Sequence, residues 1–364
     1  MEDTSVIEKS QGQEKKPKSL PTKYDSNPFT AAWSGIQKLV KTNAQTVVGV
    51  ALFNILLFVL LGLTALVVVL SIFAFVARHS PELVGSAFPS YTAFDFLNSM
   101  NDVSIYLTWG IGLVVCIFVM ALTQSLQLNL AVAAARNVPL KFGKLLKASI
   151  GTVSPILGFV GLMVLVFIVS AIVLGLLATV LGPITLVVGL VAALAAVYAG
   201  LRLSYTTYSI VDRRLGPVAA MKNSWKVTEG HIIETVGSGA VAWLILAVPS
   251  LVTNALARLT EGAPMVSGLF NLLDLALVVV LVIGAAMSVA ERYVQVQAVA
   301  DKELEPTPLS PFNYLAVALV LILAPILEAL SPTMKNDTNQ PFPLYNKTAP
   351  ADGSSETLYP TTLN

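Results

Sequence analysis

Residues 153–201 read VSPILGFVGLMVLVFIVSAIVLGLLATVLGPITLVVGLVAALAAVYAGL and contain no charged side chain. A helix needs about 20 apolar residues to cross the hydrocarbon region of a bilayer, which is roughly 30 Å thick. Two runs of this kind, 153–181 and 184–201, are separated only by Gly182 and Pro183, a pair that turns the chain but leaves no room for a domain. The sequence therefore predicts a tight helical hairpin inside a membrane.

Further apolar runs of similar length indicate that the whole chain is built in this way: 47–76, 105–131, 232–257, 270–290 and 312–330. Of the 364 residues, 55% are hydrophobic and 12% are charged, about half of the charged fraction that a soluble protein carries. We predict an all-α integral membrane protein with about seven transmembrane helices, six of them clear and the seventh weaker. The run 312–330 contains Pro325, so a re-entrant or interfacial segment is the alternative there.

The distribution of basic residues predicts the orientation of the chain. With the amino terminus inside, 18 of the 22 lysines and arginines lie on the inner side and four on the outer side. Inner loops of membrane proteins carry this excess. The expected location is the cytoplasmic membrane, with a cytoplasmic amino terminus and, if 312–330 crosses, an extracytoplasmic carboxyl terminus. A net charge of +1 argues against nucleic acid as a partner.

Three inner segments resemble amphipathic helices that lie in the cytoplasmic interface and bend into the next span, and we call them elbows. They divide a membrane domain at 28–330 into units 28–135, 138–201 and 216–300, followed by helix 312–330; residues 1–27 are expected to be a disordered tail and 331–364 a flexible one. The alternative is that any basic loop beside a span tends to look amphipathic. The residues proposed to contact lipid are Trp33, Lys38, Lys41, Phe142, Lys144, Lys147, Lys222, Trp225 and Lys226.

Residues 202–231 read RLSYTTYSIVDRRLGPVAAMKNSWKVTEGH. This pattern of a span ending in arginine and aromatics, Asp212, a Gly-Pro turn and a short helix with Trp225 resembles the polytopic membrane domain of bacterial glycerophosphoryl diester phosphodiesterases and its stand-alone relatives of unknown function. The resemblance implies a bacterial membrane scaffold without the phosphodiesterase chemistry, because the catalytic barrel and its His-Arg-Gly signature are absent from the sequence. It carries no catalytic residue over to this chain.

The sequence assigns no catalytic residue, cofactor or metal ligand. The sequence lacks a Gly-x-Ser-x-Gly elbow, a phosphate-binding loop and a His-Glu-x-x-His pair. Arg202 and Glu291 lie at similar depth near the inner ends of two spans, so they are candidates for a structural ion pair or for a headgroup site. Gln124, Gln127 and Asn129 are costly to expose to lipid, and they predict either hydrogen bonds between helices or a polar groove.

Two functions are consistent with these features. The first is a non-catalytic membrane protein with a scaffold, accessory or lipid-interacting role, whose partners are anionic headgroups at the cytoplasmic face. The alternative is a transporter or channel for a small or lipid-like solute. A continuous polar cavity enclosed by the second, fourth and sixth spans would favour transport, whereas a solid apolar interior would count against it.

Overall fold

The computed structural model describes residues 24, 26–79, 102–182, 184–260, 263–302, 304 and 308–330. This part of the chain is helical and contains no strand. In chain order the helices are α1 (Pro28–His79), α2 (Asp102–Ala135), α3 (Phe142–Leu181), α4 (Ile184–Leu203), α5 (Thr206–Arg213), α6 (Pro217–Val227), α7 (Ile232–Leu259), α8 (Pro264–Ala300) and α9 (Phe312–Leu330).

Among the residues that the structure describes, six helical segments are long and apolar enough to cross a membrane. They are Pro28–Phe73, Asp102–Ala135, Phe142–Val180, Ile184–Arg213, Ile232–Leu259 and Met265–Ala300. The prediction of an all-α polytopic membrane protein is supported in this form. The seventh predicted span is also helical, but its apolar part, Phe312–Glu328, is shorter, and its crossing of the membrane stays a prediction.

Helix α8 lies at the centre of the bundle near its carboxyl end. It packs against α7, α1 and α2, and α9 covers α7. Every residue from Ala290 to Ala298 is buried, so the last turns of α8 are enclosed by protein on all sides. Lipid would cover only part of a helix in such a position, and the polar residues of this segment must find protein partners.

The α3–α4 hairpin lies at the outside of the bundle. From residue 157 to residue 180 of α3, and along the whole of α4, no residue is buried. The predicted turn joins them: Gly182 has a φ of 54°, in the left-handed region that favours glycine. Two helices that are apolar on every side and unburied by protein are typical of segments surrounded by lipid.

Helix α1 is kinked at Asn43, which has non-helical backbone angles (φ −135°, ψ 21°). The Asn43 side chain explains why the kink occurs there, because it binds the loop between α2 and α3. Its Oδ1 accepts the N–H of Leu140 at 2.9 Å, and the hydroxyl of Thr46 donates to the Leu140 carbonyl at 2.5 Å. The residues of the first elbow therefore form a separate helical section before the span.

The three elbows differ in structure. The second is not a separate helix, because α3 runs without interruption from Phe142 to Leu181 and Pro155 does not end it. The third is a separate helix, α6, with Pro217 at its first turn, where the missing N–H costs nothing. Whether any elbow lies in a membrane interface stays a prediction.

Most of the two predicted tails, 1–27 and 331–364, lies outside the described residues. The exceptions are Tyr24, Ser26 and Asn27, next to the start of α1. Asn27 caps α1, since its Oδ1 accepts the N–H of Phe29 at 3.0 Å. Tyr24 is only 2% exposed, so the packed part of the chain begins before residue 28, where the sequence had placed its boundary.

Candidate functional site

Polar and charged side chains meet at one end of the bundle, which we call the charged end. Here α2 meets α3, α4 leads into α5 and α6, α7 begins and α8 ends. Two groups of contacts occupy it, one around Glu291 and Arg292 and one around Asp212.

Glu291 is paired with Lys38 of α1. The distance from Lys38 Nζ to Glu291 Oε1 is 2.5 Å, and the side chain of Glu291 is 2% exposed. Gly35, one helical turn before Lys38, lets α1 approach, because a Cβ there would be 3.3 Å from Glu291 Cβ. Gln295 also donates to Oε1 at 3.4 Å, whereas the buried Oε2 has no hydrogen-bond partner among the described residues.

Arg292, the next residue, faces a second carboxylate. Its Nη1 lies 3.9 Å from Glu234 Oε2, and the same oxygen is 3.2 Å from His231 Nδ1. The guanidinium carbon lies 5.6 Å from the centre of the Tyr24 ring, which in turn is 5.9 Å from the His231 ring. Arg292 is fully buried, so this contact with Tyr24 is a cation–π interaction away from water.

Together these groups form a buried set of alternating charges that connects α1, α7, α8 and the segment before α1. A buried charge is tolerated only when it is paired, and removal of one partner costs more than the pair contributes. The sequence had placed Glu291 near the inner end of a span, but it had missed Glu234 and Tyr24 as members of the same buried group. Glu234 could have been found from the sequence, because an acidic residue in an apolar helix needs a cation as its partner. Nothing in the sequence indicated that Tyr24 belongs to this group.

Asp212 is the centre of the second group. Arg136 binds it with two hydrogen bonds, from Nε and from Nη2, each of 2.6 Å. The hydroxyl of Tyr293 donates to Asp212 Oδ2 at 3.1 Å. The rings of Tyr205, Tyr208 and Tyr293 pack with centroids 5.6–6.3 Å apart. This arrangement holds the ends of α2, α5 and α8 together.

Amide side chains extend the second group toward α6. Asn223 donates to Ser209 at 2.9 Å and to Gln297 Oε1 at 3.0 Å. Gln297 donates to Asp301 at 3.1 Å, and Asp301 also forms an ion pair with Arg213. The polar side chains named so far thus bind one another.

The predicted ion pair of Arg202 and Glu291 does not form in the structure. Glu291 binds Lys38, while Arg202 lies at the end of α4 against Tyr198 and Trp225. Similar depth in the membrane did not bring them together, because α4 is an outer helix and α8 is the central one. Lys38 was expected among lipid headgroups but points inward.

The three amides of the predicted groove have different environments. Asn129 is buried and forms interhelical contacts, donating to Thr152 of α3 at 3.0 Å, and its Oδ1 lies 3.4 Å from Arg214 Nη2. Gln124 is exposed and Gln127 is half-buried. At Asn129 the arrangement is that of hydrogen bonds between helices.

The other elbow residues lie mostly on the surface of the protein. Phe142 is half-buried against Phe53, with ring centroids 5.7 Å apart. The exposed ones are Trp33, Lys41, Lys144, Lys147, Lys222, Trp225 and Lys226. Among the described residues, no group of three histidines, cysteines or acids is placed to hold a metal ion.

Two depressions on the described surface are lined mainly by apolar side chains. One has a volume of about 300 Å³ and lies on α2 between Tyr106 and Val115; the other is a crevice of about 10 Å³ between α7 and α9. Neither of them touches the charged end. At the charged end, Arg202 is a partly exposed basic side chain that could recognise a polar ligand.

No family model, no curated protein and no solved structure matches this chain. The resemblance to the membrane domain of glycerophosphoryl diester phosphodiesterases therefore stays a prediction that rests on residues 202–231.

His231 makes the stability of the charged end sensitive to pH. Burial and the nearby Arg292 cation lower the pKa of His231 below its usual 6.5; Glu234 and Tyr24 also face the ring. The unfolded chain then takes up a proton more readily than the folded protein below pH 6.5, so this residue's contribution to stability falls as the pH drops through that range.

We expect the thermal unfolding midpoint in detergent to decrease more steeply between pH 7 and pH 5 for the wild type than for H231Q. H79Q, at an exposed histidine, controls for the loss of an imidazole and should keep the wild-type slope. Equal slopes for the wild type and H231Q would show that His231 does not titrate with folding.

Proposed function

We propose that the protein is a non-catalytic membrane protein of the bacterial cytoplasmic membrane that acts as a scaffold or accessory module and binds anionic lipids at its charged end. The amino terminus is cytoplasmic in this proposal, in agreement with the 18 basic residues on that side. The resemblance of residues 202–231 to a phosphodiesterase membrane domain supports the scaffold role.

The main support for the proposal is that the buried charges of the charged end are paired within the protein, whereas its exposed charges are basic. Glu291, Arg292, Glu234 and Asp212 are buried and bind other side chains of the protein, while basic residues of the elbows remain on the surface. An arrangement with internal charges paired and external cations accessible favours attachment to anionic headgroups over chemistry on a bound substrate.

A transporter or channel is the second candidate, and the buried carboxylates favour it. Ionisable residues within apolar helices often mark ion or proton pathways. Glu234 and Glu291 lie within segments that could cross a membrane, and Oε2 of Glu291 has no hydrogen-bond partner among the described residues.

Two measurements on the purified full-length protein test the proposal. In native mass spectrometry we expect retention of phosphatidylglycerol and little retention of phosphatidylcholine. In liposomes loaded with a pH-sensitive dye and exposed to a proton gradient, we expect the rate of dye response to equal that of empty liposomes. A faster response that E291Q abolishes would establish the transporter instead, and equal retention of the two lipids would remove the lipid-binding role.

A further inference from the structure

The end of α4 presents a guanidinium next to two aromatic rings. The guanidinium carbon of Arg202 is 5.4 Å from the centre of the Tyr198 ring and 5.2 Å from that of Trp225. Its Nε donates to the Tyr198 hydroxyl at 3.0 Å, and its Nη1 donates to the Trp225 carbonyl at 3.3 Å. We call these three residues the Arg202 cage.

Helix α6 holds the cage in place through the backbone of Arg202. The hydroxyls of Ser224 and Thr228 donate to the Arg202 carbonyl at 2.8 and 3.3 Å. Ser224 also accepts the backbone N–H of Tyr205 at 3.1 Å and is fully buried. A positioned arginine loses less conformational freedom when it binds a ligand than a free side chain does.

The Arg202 cage carries a charge that the described protein does not neutralise. No described carboxylate forms an ion pair with Arg202, and its contacts are a phenol, a carbonyl and two rings. Those contacts use two of its five N–H donors, and the side chain is partly exposed. Lys222 and Lys226 are exposed on α6 four residues apart, so they are neighbours on one side of the helix, and Lys222 is also three residues before Trp225.

The position of the cage selects a lipid over a soluble anion. Helix α4 has 20 residues and therefore spans about 30 Å, which places its last turn at the level of the headgroups. None of its residues is buried, and Val191, Leu194 and Val197 are 61–63% exposed. A phosphate at Arg202 would thus lie at the end of an open apolar surface suited to acyl chains.

We propose that the Arg202 cage binds the phosphate group of an anionic membrane phospholipid, whose acyl chains lie along α4. Guanidinium groups suit this ligand because their planar donors match phosphate oxygens in pairs. Lys222 and Lys226 supply the additional positive charge that favours an anionic headgroup over a zwitterionic one. The site gives the lipid-binding part of the proposed function a specific location, and it rests on that function.

The test is a native mass spectrometry titration of the full-length protein in detergent with dioleoyl phosphatidylglycerol and, separately, dioleoyl phosphatidylcholine. We expect R202Q to weaken phosphatidylglycerol binding about tenfold, because charge-assisted hydrogen bonds are lost. R202K should bind with intermediate affinity, since it keeps the charge but not the paired donors. R258Q, at a partly exposed arginine in the last turn of α7, makes the same substitution at the opposite end of that helix from the charged end and should bind like the wild type.

A second variant and a competitor make the outcome decisive. K222Q/K226Q keeps the cage and should weaken phosphatidylglycerol binding several-fold; if R202Q does not fold, unchanged binding by K222Q/K226Q overturns the proposal. Equal loss in R202Q and R258Q also overturns it, and so does displacement of the lipid by glycerol 3-phosphate. If the wild type itself binds phosphatidylglycerol no better than phosphatidylcholine, the proposed lipid-binding function fails, not merely its location.

Discussion

Replacement of Lys38 by methionine is expected to lower the free energy of unfolding by about 3 kcal/mol, because it leaves the Glu291 carboxylate buried without its cation. Glu291 is 2% exposed and cannot reach water, whereas Lys38 is 23% exposed. The loss should therefore come mainly from the stranded carboxylate and only to a small extent from the lysine. Unfolding by titration with sodium dodecyl sulfate, followed by circular dichroism, measures the change.

The double variant K38M/E291L separates the cost of an unpaired charge from the contribution of the pair. Replacement of a buried ion pair by apolar residues is often neutral or stabilising, so most of the lost stability should return. K41M is the matched control, since Lys41 is exposed on the same helical section. If K38M and K41M destabilise the protein equally, the Lys38–Glu291 contact does not contribute to the fold.

This pair also shows what could be predicted from sequence. Hydropathy and the excess of basic residues on one side predicted that Glu291 lies near the inner end of a span and needs a cation. They indicated Arg202 as a candidate partner, whereas the structure pairs Glu291 with Lys38. Depth follows from position along one helix, but the choice between Arg202 and Lys38 depends on the order of helices around α8, which the pattern of any single helix does not contain.

The helices themselves were the most predictable part of the structure. The predicted spans all fall within helices, because lipid leaves the backbone no other way to satisfy its hydrogen bonds. Their ends were less predictable. The α3 helix includes the second elbow since no residue between Phe142 and Pro155 stops it, whereas α1 is kinked where Asn43 reaches a loop almost 100 residues away in sequence.

The sequence predicted some residues of the candidate site, but it did not predict their contacts with one another. Trp225 and Arg202 both stood out in the sequence, one as an interfacial aromatic and the other as a charge at a span end. Their direct contact depends on how α6 packs against the end of α4, and Ser224, a small residue with no hydropathy signal, holds that packing in place. Tyr24 could not be found either, because it follows a polar segment and its contacts are with His231 at the start of α7 and with Arg292 of α8.

Helices α7 and α9 approach each other closely at Gly237. A Cβ at Gly237 would lie 2.2 Å from Oδ1 of Asn313 and 3.0 Å from its Cβ. Asn313 cannot move aside easily, since it is fully buried and its Nδ2 donates to the carbonyls of Ser26 at 2.9 Å and Ser310 at 3.1 Å. The close approach of α9 to α7 therefore requires glycine at this position.

We expect G237A to destabilise the protein by about 1–3 kcal/mol, the usual cost of an overpacked contact. G239A is the matched control: Gly239 is exposed two residues further along α7, nothing lies within 4 Å of its added Cβ, and alanine should even stabilise the helix slightly. Because Asn313 also holds the segment before α1, hydrogen exchange in G237A should increase both in Phe312–Leu330 and in the first turn of α1. Faster exchange in α9 alone would mean that the Asn313–Ser26 hydrogen bond does not couple α9 to the segment before α1. Equal stability of G237A and G239A would mean that α9 does not pack this closely on α7.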